Sequence, residues 1–209
     1  MDICEYKAVG NKRRKIVKKE KNTDPQDGAD NKNAITSENN HIYFYSKVSK
    51  SFCLDLNIEI KKVEQKMLQH ALKFGVDPPP IIIHINSYGG SVFAAMSTID
   101  TIKGCKVPVH TIVEGAAASA GTLISVVADK RSIGKNSHML IHQLSSCFWG
   151  KMEEFNDEMK NLNRLMELIR DIYLEHTKVP KKKLDEILKH DLWWDADKCL
   201  EMGLVDEIL

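Results

Sequence analysis

The stretch from Ile81 to Ala128 constrains this chain more than any other. It reads IIIHINS, the pair Gly89-Gly90, SVFAAMSTIDTIKG, then VPVHTIVEG, AAAS and ASAGTLISVVA. An unbroken isoleucine-rich run suits a strand buried on both faces, and the glycine pair suits a tight turn into a helix that covers the sheet. The unit then repeats, with AAAS as the second turn. Two consecutive strand-turn-helix units with short connections predict an α/β fold, a parallel sheet wrapped by helices with right-handed crossovers. Ligands in such sheets gather at the carboxyl ends of the strands. Both turns, Tyr88-Gly89-Gly90 and Ala117-Ala118-Ser119, lie at that edge.

The flanking segments extend the pattern. HIYFYSKV, from His41, reads as a short strand, and Leu56, Ile60, Val63, Met67, Leu68, Ala71 and Leu72 recur at helical spacing until Gly75 closes the helix. Asp77-Pro78-Pro79-Pro80 forces an extended connection. KRSIGKNSHMLIHQ reads as two short strands around a turn at Gly134 to Ser137. A long helix from about Lys151 to His176 carries Met152, Phe155, Met159, Leu162, Met166, Ile169 and Tyr173 in steps of three and four, widened by Leu165, Leu168 and Ile172. So broad a stripe can pack on its own sheet, project to another subunit, or do both in part. A shorter helix opens at Pro180, Asp195 caps a last helix that Gly203 ends, and LVDEIL is a closing strand. Trp193 and Trp194 are expected to be core anchors rather than a ligand platform.

At 209 residues, 43% hydrophobic and 28% charged, the chain has material for one core. Residues 1–40 differ in kind. Lys12, Arg13, Arg14, Lys15, Lys18, Lys19 and Lys21 precede the polar stretch NTDPQDGADNKNAITSENN, which buries too little to offset the entropy of ordering it. The expected division is a flexible charged arm or propeptide over 1–40 and a folded domain over 41–209. A net charge of +1 gives no support for a nucleic-acid partner. Five widely spread cysteines without CxxC spacing indicate neither a disulfide framework nor a zinc site. The apolar stretch Gly115 to Ala128 is well short of the roughly 20 residues a membrane span needs, and no apolar run follows the basic N-terminus as in a secretory signal. The expectation is a soluble, cytoplasmic protein with no membrane partner and no metal.

Ser119 stands among the smallest residues, EGAAASAGT, at a strand-to-helix junction. Small neighbours let a substrate carbonyl approach, and a helix amino end favours a developing oxyanion. Serine at such a position also caps helices, and taken alone Ser119 fits that role as well. His142 follows the apolar strand HMLIHQ, where an imidazole at the strand end can act as general base. Asp191, just before LWW, is a carboxylate that can be carried into the same low-dielectric edge and orient the imidazole.

INSYGGSVFAAMSTIDTI, EGAAASAGTLI, HMLIHQ and DLWWDADKCLEMGLVDEI occur in the order and approximate spacing of the Clp protease proteolytic subunit, a serine peptidase family that the chain resembles from about His41 to Leu209. The resemblance implies Ser119 as nucleophile, His142 as base and then acid, and Asp191, rather than Asp195 or Asp197, as the orienting carboxylate. It implies an oxyanion hole from the amides of Gly90 and Ala120, where the family usually has methionine at the latter position. It further implies a crotonase-like fold whose projecting long helices interlock two heptameric rings around a chamber. Unfolded polypeptide is fed in by an ATP-consuming AAA+ unfoldase, so ATP enters only through that partner and the peptidase needs no cofactor.

The chain departs from the family in two places. After MIHQ the family continues with proline and a glycine-rich strand that grips substrate and joins the rings, whereas Leu144-Ser145-Ser146-Cys147-Phe148-Trp149-Gly150 stands here. Residues 1–40 have no clear counterpart to the family's axial loops. That second departure supports a rival, an ATP-independent processing protease that trims a capsid or scaffold. A noncatalytic ring subunit is a further rival, against which the joint presence of Ser119, His142 and Asp191 speaks.

Overall fold

The computed structural model describes residues 35–209. Seven strands form one sheet: β1 (Ile35–Glu38), β2 (His41–Phe44), β3 (Ile81–Ser87), β4 (Val109–Ala118), β5 (Lys130–Ile133), β6 (His138–Leu140) and β7 (Glu207–Ile208). Six helices accompany them: α1 (Lys50–Phe74), α2 (Val92–Lys103), α3 (Ala120–Val126), α4 (Met152–His176), α5 (Lys181–Leu188) and α6 (Ala196–Glu201). The sheet order is β1-β2-β3-β4-β5-β7, with β6 also paired to β4. All pairs are parallel except the β1–β2 hairpin. This is the parallel, helix-wrapped α/β sheet expected from the repeated units.

The expected boundary after residue 40 falls too late. Ile35–Glu38 is a strand of the sheet, and Asn39 turns it into β2 with a left-handed φ of 56°, which asparagine tolerates. An edge strand with one core-facing isoleucine in ITSE carries too little pattern to stand out from a polar tail. The rest of the expected arm, residues 1–34, lies outside the described residues.

Local chemistry sets the ends of the helices. Ser49 accepts the Phe52 amide at the start of α1, and Gly75, at φ 63°, closes it in a left-handed cap. Ser91 caps α2 and Asp195 caps α6 through the Lys198 amide. One correction falls on the second unit. Ala116, Ala117 and Ala118 are not a turn but the end of β4, paired with His138, Met139 and Leu140. Only the part of ASAGTLISVVA from Ala120 to Val126 is helical. Alanine has no strand preference of its own, and here the sheet neighbours decide.

The core lies between the sheet and its helices, around Ile42, Phe44, Leu56, Ile60, Ile81, Ile83, Ile85, Leu123 and Ile124, all essentially inaccessible. The opposite face of the parallel sheet is only partly covered. It carries a hydrogen-bonded series in which His41 Nδ1 meets His84 Nε2 at 2.9 Å, His84 Nδ1 meets Glu114 at 2.8 Å, and Tyr45 donates to Glu114. Burial raises the Glu114 carboxyl, but the bonds from Tyr45 and His84 outweigh it and hold it below the usual range. Burial and the Glu114 bond push the Tyr45 phenol up to about 12. Among the described residues, no helix is long and apolar enough to cross a membrane.

The long helix divides along its length. Ile169, Ile172 and Tyr173 are buried against the domain, whereas Met152, Phe155 and Met159 on the first turns are exposed. The apolar stripe thus packs on its own domain at one end and stays exposed at the other.

Candidate active site

Ser119 joins β4 to α3 with φ 54° and ψ −126°, a conformation a non-glycine residue adopts only under constraint. The constraint is visible. The Ser119 amide donates to the Leu140 carbonyl at 2.9 Å, anchoring the residue to the end of β6. Its carbonyl accepts both the Thr122 amide at 3.0 Å and the Thr122 hydroxyl at 2.6 Å. With that hydroxyl proton committed, the fully buried Tyr173 must donate to Thr122 Oγ1, 2.6 Å away. A residue of α4 therefore holds the backbone of Ser119 through one intermediary. The Ser119 hydroxyl makes no capping bond to α3, so the alternative of a simple helix cap is not the one adopted.

The glycine turn after β3 lies directly against this junction. A β-carbon on Gly89 would fall 2.7 Å from that of Ser119 and 2.6 Å from the Ala118 carbonyl oxygen. One on Gly90, at φ 144°, would overlap the Val48 carbonyl. Val48 clamps the turn from the other side: its amide donates to Gly89 and its carbonyl accepts from Ser91, both at 2.8 Å. Glycine is needed at both positions. Among the described residues, the amides of Gly90 and Ala120 have no hydrogen-bond acceptor, leaving two donors beside Ser119 unspent.

His142 lies just past β6, and its Nδ1 meets Asp191 Oδ1 at 2.8 Å across a sequence separation of 49. The two segments run alongside each other. Met139 and Trp194 exchange backbone bonds at 2.9 and 2.8 Å, and the Gln143 amide donates to Leu188 at 2.7 Å. Asp191 is not in a dry edge as expected: its side chain is 76% exposed and that of His142 26%. The cause is local, because residues 189–195 cross the surface between α5 and α6 without regular structure. Ser119 and His142 are brought to the same end of the sheet through the Ser119–Leu140 bond. Their side chains are not hydrogen-bonded to each other in this conformation, a bond that commonly tightens only with substrate.

Trp194 packs against the core, but Trp193 is 44% exposed and meets the ring of Tyr88 edge-on, with centroids 6.1 Å apart. The expectation of two core anchors therefore fails for Trp193, since neighbouring residues of an extended segment point to opposite sides. The sequence offered no signal for Thr122, Tyr173 or Val48, whose parts are set by long-range packing. Among the described residues, Cys53, Cys105 and Cys199 are free thiols. Burial pushes Cys105 to about 11 and Cys199 to about 12 and raises Cys53, so each stays protonated at neutral pH. Among the described residues, no group of His, Cys, Asp and Glu could hold a metal.

The chain is similar to known proteins. The Clp protease family profile matches residues 36–209. An ATP-dependent Clp protease proteolytic subunit from Deinococcus radiodurans is 34% identical over 131 residues, which span 62% of this chain and 64% of that relative, just under two thirds of its length. An ATP-dependent Clp protease proteolytic subunit 2 from Treponema denticola is 35% identical over 158 residues, 74% of this chain and 78% of the relative. Among solved structures, an asparagine-to-aspartate mutant of ClpP1 from Listeria monocytogenes superposes with a TM-score of 0.71 at 26% identity, covering 82% of this chain and 91% of that one. Sheet, strained serine and glycine turn thus sit in a chain whose match to the profile runs from β1 to the C-terminus, and the chain belongs to the Clp protease family, a family of serine-type peptidases.

Proposed function

We propose that this chain is a serine endopeptidase that hydrolyses peptide bonds with Ser119, His142 and Asp191 inside a ring assembly, as the proteolytic subunit of an ATP-dependent Clp-type protease. The observation that carries the reading is the 2.8 Å bond between His142 and Asp191 beside a serine held at positive φ. Asp191 occupies Nδ1 and so leaves Nε2 of His142 as the base. Closing the bond from the Ser119 hydroxyl to Nε2 is the first step. His142 takes the proton as Ser119 attacks the substrate carbonyl, and the amides of Gly90 and Ala120 receive the oxyanion. His142 then returns the proton to the leaving amine, and water, activated in the same way, releases the acyl group. Every bond change in this sequence is served by side chains and amides of the chain, so the proposed peptidase uses no cofactor.

Self-assembly into rings is what membership of the family implies, and two surfaces support it. A parallel sheet is ordinarily covered on both faces, yet here one is half open, with Tyr45 43% exposed. The first turns of α4 display Met152, Phe155 and Met159 to solvent. We assign these surfaces to packing within and between two heptameric rings. An AAA+ unfoldase that delivers unfolded polypeptide, and a cytoplasmic location, complete the proposal. The test is hydrolysis of short peptides and of an unfolded protein by wild type and by Ser119→Ala. Peptide cleavage lost in the variant supports the reading, and equal cleavage by both contradicts it. Degradation of a folded protein only with ATP and an unfoldase supports the ATP-dependent form. Degradation without either favours the processing protease instead.

A further inference from the structure

The rings of Tyr88 and Trp193 meet edge-on at 6.1 Å, joining the glycine turn to the segment that carries Asp191. Tyr88 immediately precedes Gly89, which is packed on Ser119. Trp193 lies two residues after Asp191. Among the described residues, the backbone of Asp191, Leu192 and Trp193 makes no backbone hydrogen bond, and Leu192 is 64% exposed. Between the backbone bonds of His190 and Trp194 the segment is therefore held by side chains, namely Asp191 on His142 and Trp193 on Tyr88.

We infer that Tyr88 and Trp193 are a pair of positioning residues that couple the glycine turn to the segment bearing Asp191, so that the oxyanion donors and the oriented imidazole are set together. The inference rests on the serine peptidase reading above. Neither ring is buried, with Tyr88 72% and Trp193 44% exposed, so the contact adds little to the core. Its consequence is geometric: misplacing catalytic groups by about an ångström is costly to a reaction even when folding is untouched.

The test is a double-mutant cycle with Tyr88→Ala, Trp193→Ala and the pair, together with Tyr88→Phe, which keeps the ring. Steady-state peptide hydrolysis is measured beside the rate of fluorophosphonate labelling and the unfolding temperature. Each alanine variant should lower kcat about fivefold, the scale of one edge-to-face ring pair, with KM within about twofold of wild type. The double variant should be no slower than the slower single one, Tyr88→Phe should recover wild-type kcat, and unfolding temperatures should stay together. A loss confined to KM would mean that the rings only grip substrate and would overturn the inference. Additive losses, or alanine variants as fast as wild type, would overturn it as well. If wild type itself neither labels nor cleaves, it is the peptidase reading that fails, and the cycle loses its basis.

Discussion

Gly89 is packed so closely on Ser119 that a β-carbon on the glycine would sit 2.7 Å from the β-carbon of the serine. The turn after β3 and the junction after β4 are therefore one structure, and neither can change without the other. Val48 closes that structure from outside through its two bonds to Gly89 and Ser91.

Gly90→Ala tests this arrangement. The new methyl overlaps the Val48 carbonyl and the residue must abandon φ 144°, so the turn shifts and the amide proposed as an oxyanion donor moves out of line. Peptide turnover should fall about a hundredfold or more, the cost of losing one such donor elsewhere. Steady-state kinetics on a short peptide measure it, and turnover within a few fold of wild type would remove Gly90 from the site.

Asp191→Asn keeps the shape of the side chain and removes the charge that orients His142. By analogy with the same exchange in an unrelated triad, kcat should drop about 10⁴-fold with the fold intact. Circular dichroism beside kinetics separates this from unfolding. At 76% exposure the Asp191 side chain contributes little to the core, so the fold should tolerate the exchange.

Thr122→Val should destabilise more than Tyr173→Phe. The valine strands the buried Tyr173 hydroxyl and costs about 1–3 kcal/mol, or several degrees at about 2–4 °C per kcal/mol. The phenylalanine leaves Thr122 still donating to Ser119, at about 1 kcal/mol. Thermal unfolding ranks the two, and the reverse order would contradict the hydrogen-bond direction assigned here.

The hydrogen bond from Arg131, with burial opposing it, holds the Asp206 carboxyl below the usual range. A carboxyl lowered in the folded state stabilises the fold at pH values above its unfolded pKa, and the contribution disappears as pH falls through the folded value. Stability should therefore decline in acid below about pH 4, the ordinary aspartate range. Asp206→Asn should lower neutral-pH stability and flatten that acid limb, as followed by unfolding temperature against pH.

The two strand-turn-helix units are legible because IIIHINS and VPVHTIVEG are apolar runs of strand length next to small-residue turns. Helix ends are legible where a single residue sets them, as at Gly75 and Asp195. Long-range relationships hide the rest. ITSE is a strand only because β2 offers it an edge, and AAA is a strand only because β6 pairs with it. Ser119, His142 and Asp191 can be picked out by residue type and resemblance. The positive φ of Ser119 cannot, since it depends on Leu140, Thr122 and Tyr173, which no local pattern links to it. Nor does LWW reveal which indole faces out until the Met139–Trp194 pairing fixes the alternation.

Phe155→Asp should weaken assembly. The residue lies with Met152 and Met159 on the exposed face of α4, where a carboxylate cannot be covered by an apolar partner without a large desolvation cost. Light scattering should report roughly fourteen subunits for wild type and a smaller particle for the variant. Equal masses would place the contact elsewhere.

The most direct measurement is the site of covalent modification by a fluorophosphonate, mapped by peptide mass spectrometry on the full chain. Strained backbone, free amides and an imidazole oriented by a carboxylate together predict a single adduct on Ser119, abolished in His142→Ala. An adduct on another residue, or labelling of Ser119 that persists at full rate without His142, would contradict the account.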